Sequence, residues 1–184
     1  MEKNRKYLLI LALATEGGMA VCALVLAAFF QIDLQWSSGN PILDIISGVL
    51  SAVPPFLIFL FVISKPGGKY GVCNSLRKTL LEDCRPLFSQ LSVLDILFIS
   101  LLAGLGEELL FRGILQYKLG LIIASIAFGL VHFISPAYIL IAALIGVYIG
   151  LIYEYSQNLM TPVVMHFIYD FAALICLKHK YRSL

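Results

Sequence analysis

Paired cysteines and a zinc-protease signature are both missing from this sequence. Its four cysteines, Cys22, Cys73, Cys84 and Cys176, form no Cys-x-x-Cys pair, and no His-Glu-x-x-His occurs. Two of the four fall inside apolar runs, and all four read as ordinary thiols. Charge is scarce as well: 13% of the 184 residues are charged, 60% are hydrophobic, and the mean hydropathy is +0.94. That balance excludes a water-soluble globular domain and marks an all-α, polytopic integral membrane helix bundle. A net charge of +2 says little about partners, and nucleic acid is not expected among them. Internal repeats and low-complexity segments are also absent.

Apolar runs of spanning length occur at about 7–30, 42–64, 91–116, 119–135, 136–153 and 160–177, given ~1.5 Å of rise per residue and a core of ~30 Å. They predict about six transmembrane helices in a single membrane domain, 1–184, in contact with the lipid bilayer. The basic start of the chain looks like a signal peptide, but the run behind it is a full span long and lacks a convincing cleavage site. An uncleaved first helix is expected. Between the second and third runs lies a polar, Gly-rich, basic loop, about 65–90, with room for a short amphipathic helix on the membrane surface. Pro54-Pro55 predicts a break or kink in the second span, tolerable where neighbours satisfy the freed carbonyls.

Basic residues cluster at three places: Lys3, Arg5 and Lys6; Lys65, Lys69, Arg77, Lys78 and Arg85; and Lys178, Lys180 and Arg182. Six spans bring all three clusters to one side, which the positive-inside rule makes cytoplasmic, with both termini there. A bacterial-type plasma membrane is the expected location.

Against this background the segment "LAGLGEELLFRGIL", Leu102 to Leu115, is anomalous: two adjacent carboxylates and an arginine lie within a span. Charges deep in a span cost about 2.5–3.5 kcal/mol each on insertion scales, so a function is the default explanation. The ionisable residues of the spans are Glu16, Asp44, Asp95, Glu107, Glu108, Arg112, His132, His166 and Asp170. Asp44 and Asp95 sit at span starts, where caps or interfacial positions explain them. Glu16, beside Gly17-Gly18, fits either a cavity or a helix-packing role. Glu108 and Arg112 are four apart on one helix face, in the favourable order for an ion pair with a structural task. Glu107 is rotated about 100° from Glu108 and is free to face another partner. His166 and Asp170 share a face, as do Phe128 and His132.

Counted from the non-cytoplasmic ends of their spans, Glu107 lies roughly 14 Å deep, Asp170 about 15 Å, His132 about 20 Å and His166 about 9 Å, within one slab contributed by three helices. Three chemistries suit such a set. Glu107 and His132 could activate a water while His166 and Asp170 stabilise an oxyanion. His132, His166 and a carboxylate could ligate a catalytic zinc. The same groups could also relay protons or ions in a transporter.

"EELLFR" (Glu107, Glu108, Arg112), "FGLVH" (Phe128, His132) and "HFIYD" (His166, Asp170) resemble the three ordered motifs, EExxxR, FxxxH and HxxxN/D, of the CAAX-protease and bacteriocin-processing (CPBP, or Abi) membrane proteins. The resemblance covers about residues 91–175 and makes about 91–177 the motif-bearing core. It implies an intramembrane glutamic endopeptidase with no cofactor and no required metal, acting on a peptide or protein substrate, lipidated or not. By motif position, Glu107 resembles the general base and His132 its partner in holding the water. His166 and Asp170 match the oxyanion-stabilising positions, while Glu108, Arg112 and Phe128 look like structural support. Asp170 departs from the Asn that prenyl-protein members tend to carry; it would serve as a neutral acid, or indirectly by orienting His166. The rival reading is a non-catalytic immunity or scaffold-like membrane protein of the same fold, in which the polar network only holds helices together.

Among the remaining residues, Gly104, Gly106 and Gly113 predict close helix approach. Trp36, Tyr153, Tyr155 and Tyr169 predict interfacial anchors or bundle packing.

Overall fold

The computed structural model describes residues 2–179; Lys180 and Arg182, and the side chain of Lys3, lie outside what it describes. Among the described residues all regular structure is helical. Helix α1 runs over residues 2–30, with a widened π turn at Leu13–Gly17. It is followed by α2 (Pro41–Val62), α3 (Gly71–Phe88), α4 (Val93–Leu119), α5 (Leu121–Val131), α6 (Pro136–Ser156) and α7 (Met160–His179). Helices α2, α6 and α7, together with Arg5–Phe30 of α1, are long and apolar enough to cross a membrane. Helix α4 has the length as well, but carries Asp95, Glu107, Glu108, Arg112 and Lys118. The bundle's outer surface exposes large apolar side chains, among them Phe29, Ile42, Leu94 and Phe133. A surface of that kind is solvated by lipid, and the protein is an integral membrane protein.

The run expected at 119–135 is helical only over Leu121–Val131, 11 residues or about 16 Å. Two backbone features bound it. Gly120 adopts φ +83°, a conformation that costs glycine little, and His132 leaves the helix at φ −93°, ψ 44°. The loop at 65–90 does contain a helix. Its inner face buries Leu76, Leu80 and Cys84 against Phe59, Val62 and Leu177, and the axis turns by 118° before α4.

Pro54-Pro55 splits α2 at Ala52. Pro55 has no N–H to offer the Ser51 carbonyl, four residues back. The Tyr148 hydroxyl of α6 donates to that carbonyl instead, at 2.9 Å.

Small residues set how closely the helices approach. A Cβ on Gly104 would sit 3.0 Å from the Phe167 nitrogen and the Val163 oxygen of α7. A Cβ on Gly106 would run into the backbone carbonyl of Glu16 in α1, and one on Gly113 would come within 2.8 Å of Leu34. Helix α1 is also held at its start: Arg5 grips Asp95 through Nε at 2.6 Å and Nη2 at 2.7 Å. Asp95 in turn closes a capping box with Ser92 at the head of α4. Lys178, at the far end of α7, donates to the Leu91 carbonyl. These contacts bring Arg5, Lys178 and the end of the basic loop to one end of the bundle.

Asp44 is a buried junction rather than a simple cap. It accepts from the Ser37 and Ser38 hydroxyls, each at 2.6 Å, and from Asn158 Nδ2 at 3.1 Å, which ties the α1–α2 connection to the start of α7. The cap of α2 itself is Asn40.

Candidate active site

Glu107 and Glu108 close the α-helical part of α4. From Leu109 to Gln116 the hydrogen bonding widens to the π pattern, the kind of local irregularity that recurs at functional sites. Arg112 lies on this widened stretch with its Nε 3.1 Å from Glu108 Oε2; both side chains are almost entirely buried. The guanidinium also donates from Nη2 to the Gly146 carbonyl of α6 at 3.2 Å, and its Cζ lies 4.8 Å from the centre of the Phe128 ring. The arginine that looked costly in the sequence is therefore compensated three ways: by a carboxylate, a carbonyl and an aromatic face.

The second oxygen of Glu108 leaves the helix altogether. Oε1 lies 2.6 Å from His166 Nδ1 on α7. Glu108 thus joins Arg112 to His166, and the supporting pair and the third motif form one network. On its other side His166 presents Nε2 to Asp170 Oδ2 at 3.5 Å.

Glu107 faces away from this network, as the helical rotation requires. Its Oε2 lies 3.8 Å from His132 Nε2, and no hydrogen-bond partner occupies that buried oxygen. His132 sits at the frayed end of α5, where its ring packs on Phe128 with centroids 4.7 Å apart and its Nδ1 contacts the Phe128 carbonyl at 2.7 Å. A carbonyl only accepts, so Nδ1 carries a proton, and in the neutral ring Nε2 keeps a lone pair directed toward Glu107. The Phe128 ring also lies 6.0 Å from His166, so one aromatic side chain touches Arg112 and both histidines.

Glu107, His132, His166 and Asp170 all line one cavity of about 550 Å³, whose remaining walls are mostly apolar. Pro54, Pro55, Phe59 and Val62 of α2 contribute, as do Leu76, Leu80 and Cys84 of α3. Among the described residues, no three His, Cys, Asp or Glu side chains converge as ligands for a metal ion.

Three members of the cavity were not singled out as site residues in the sequence. Glu16, left open between a cavity and a packing role, lines the cavity beside Glu107. Tyr138 stacks on His132 at 6.0 Å, and Tyr169 turns inward rather than toward an interface. Tyr155, by contrast, is fully outward at 92% exposure. The signal available for Glu16 was its cost: an unpaired carboxylate within a span calls for a polar destination.

A helical membrane bundle with carboxylates and histidines gathered at an apolar cavity is the class this architecture defines. Residues 89–172 match the family model for type II CAAX prenyl endopeptidase Rce1-like proteins. Over this stretch, a little under half its length, the chain is similar to the CAAX-protease and bacteriocin-processing family, and it shares with that family an all-helical membrane architecture. It is also similar to the "Uncharacterized protein YpbD" of Bacillus subtilis (strain 168), with 39% identity over 105 residues, 54% of this chain and 55% of that protein. The chain spans about half the length of this curated relative. No solved structure gives a significant match.

Proposed function

We propose that the protein is an intramembrane endopeptidase that hydrolyses a peptide bond with water activated by Glu107 and His132. The observation that carries this reading is the 3.8 Å gap between Glu107 Oε2 and His132 Nε2 at the cavity. It is too long for a direct hydrogen bond and suited to a water bound to both. Both atoms accept, so such a water directs its two hydrogens at them and its lone pair toward the substrate.

In the first step the water oxygen bonds to the scissile carbonyl carbon while its O–H bond breaks and the proton passes to Glu107. The carbonyl π electrons move to oxygen. His166, acting as the imidazolium between Glu108 and Asp170, donates to that oxyanion from Nε2. In the second step Glu107 returns the proton to the amide nitrogen, the C–N bond breaks, and a carboxylic acid and an amine leave. Glu108 and Arg112 hold His166 in place from behind. Asp170, 3.5 Å from Nε2, orients the ring. The substrate is a peptide or protein segment, with the apolar cavity wall receiving an apolar side chain or a lipid.

The deciding test is cleavage of a diverse peptide library, farnesylated peptides included, by wild type and Glu107→Gln in nanodiscs, with thermal midpoints recorded for both. Cleavage by wild type that disappears in an equally stable Glu107→Gln variant is expected. Cleavage that survives the substitution would remove Glu107 from the mechanism. No cleavage by either, across lipidated and plain peptides, would favour the non-catalytic scaffold reading.

A further inference from the structure

Helix α1 contributes an acid to the cavity that the three motifs do not include. Glu16 sits on the π turn Leu13–Gly17, where α1 is pressed against α4. The contact is backbone to backbone: the Glu16 carbonyl occupies the space a side chain at residue 106 would need. The neighbouring position on α4 is Glu107, so the approach that requires glycine at 106 also sets Glu16 and Glu107 side by side across the α1–α4 contact. Both side chains line the cavity. Thr15 donates to Glu16 Oε1 at 3.0 Å, whereas Glu16 Oε2 and Glu107 Oε2 are both buried with no hydrogen-bond donor on them. At its other end the helix is fixed by the two-point grip of Arg5 on Asp95.

Carboxyl groups held close in a largely apolar cavity resist ionising together, and the neutral one can donate a hydrogen bond to its ionised neighbour while keeping its proton. The surroundings decide which. Glu107 faces His132 and is the group that the proposed reaction needs as a base. The charged groups around Glu16 are Glu107 on α4 and His166 and Asp170 on α7. Glu108 is committed to Arg112 and His166 and does not compete.

We propose that Glu16 is a positioning residue for the reaction: its protonated carboxyl donates a hydrogen bond to Glu107, fixes the rotamer of that carboxylate toward His132, and keeps it ionised in the resting state. The proposal rests on the endopeptidase reading above. The Glu16 proton stays on Glu16 throughout, so the proton balance of hydrolysis is unchanged, and Glu16 touches neither water nor substrate. The first helix thereby becomes part of the site rather than a membrane anchor alone.

The test uses the full chain in nanodiscs, with Glu16→Ala and Glu16→Gln. Removing the donor is expected to lower kcat about tenfold or more, with KM nearly unchanged, because the base is misplaced while binding is not. The Gln variant, whose amide donates the same hydrogen bond, is expected to restore most of kcat. Thermal midpoints separate these effects from misfolding. A second readout needs no substrate: the infrared band of a protonated carboxyl group, present in wild type, is expected to lose intensity in Glu16→Gln. An unchanged infrared band, or a kcat for Glu16→Ala within about twofold of wild type, would overturn the proposal. Should wild type cleave nothing, the endopeptidase reading fails by that result, and the infrared comparison alone decides the role of Glu16.

Discussion

Glu108 Oε1 and His166 Nδ1 meet at 2.6 Å, although 58 positions separate the two residues. This bond joins the helix that carries the first motif to the helix that carries the third, and Arg112 balances the charge from within α4. Glu108 is fully buried, so it has no water to fall back on when a partner is removed.

Arg112→Ala should therefore be costly. Breaking a buried ion pair from one side typically destabilises by about 3–5 kcal/mol, because the remaining charge is left uncompensated. The expected result is a large fall in thermal midpoint or in yield of folded protein. The double variant Glu108→Gln/Arg112→Ala should recover part of the loss, since neither charge then remains. An unchanged melting curve for Arg112→Ala would show that the pair does not support the fold.

Two glycines on facing helices give opposite expectations for the same substitution. Gly106→Ala places a methyl group against the Glu16 carbonyl, which is backbone and cannot rotate away. Overpacking of this kind costs about 1–3 kcal/mol, and α1 should be pushed off α4. Gly18→Ala meets nothing within 4 Å. It should leave the protein as stable or raise stability by up to about 1 kcal/mol, the difference in helix propensity. Thermal shift on the two variants, side by side, checks the α1–α4 contact.

The proline break in α2 can be probed through the hydroxyl that repairs it. Tyr148→Phe leaves the half-buried Ser51 carbonyl without its donor, at a cost of about 1 kcal/mol. Adding Pro55→Ala restores an N–H four residues on from Ser51 and should offset part of that loss. Additive effects in this double-mutant cycle would argue against the coupling.

Metal dependence makes a fourth test. Both nitrogens of His166 face carboxylates, Glu108 at 2.6 Å and Asp170 at 3.5 Å, and Nδ1 of His132 is held by a carbonyl. In the proposed scheme these groups hold protons and orient water, and no metal takes part. Peptide cleavage is expected to survive exhaustive chelation. Activity lost to a chelator and regained with stoichiometric zinc would overturn the water-activation scheme.

What the sequence disclosed and what it withheld follow the range over which helical periodicity carries information. Within one helix, spacing is nearly geometry: Glu108 with Arg112 and His166 with Asp170 were readable as pairs, and each is a close contact. The rotation that separates Glu107 from Glu108 was equally readable. Periodicity says nothing about which faces of different helices meet, so the Glu108–His166 bond could not be derived and Glu16 stayed undecided. Phe128 and His132 are neighbours as their spacing suggested, but for another reason. His132 has left the helix, and its position is fixed by ring packing and by a bond from Nδ1 to a carbonyl. A helix end of that kind has no signature in apolar run length, which is why the run at 119–135 read as longer than the helix it forms. Of the basic clusters, Arg5 and Lys178 both reach the head of α4 and so lie at one end of the bundle.

The separation of Glu108 and His166 along the chain also bears on how the protein is made. When α4 leaves the ribosome, the histidine that will bond Glu108 has not yet been synthesised. Arg112, one turn away, is available at once, so the Glu108 charge can enter lipid already balanced and wait for α7. The pair inside one helix therefore carries the charge through insertion, and the bond between helices completes the site only when the last span arrives.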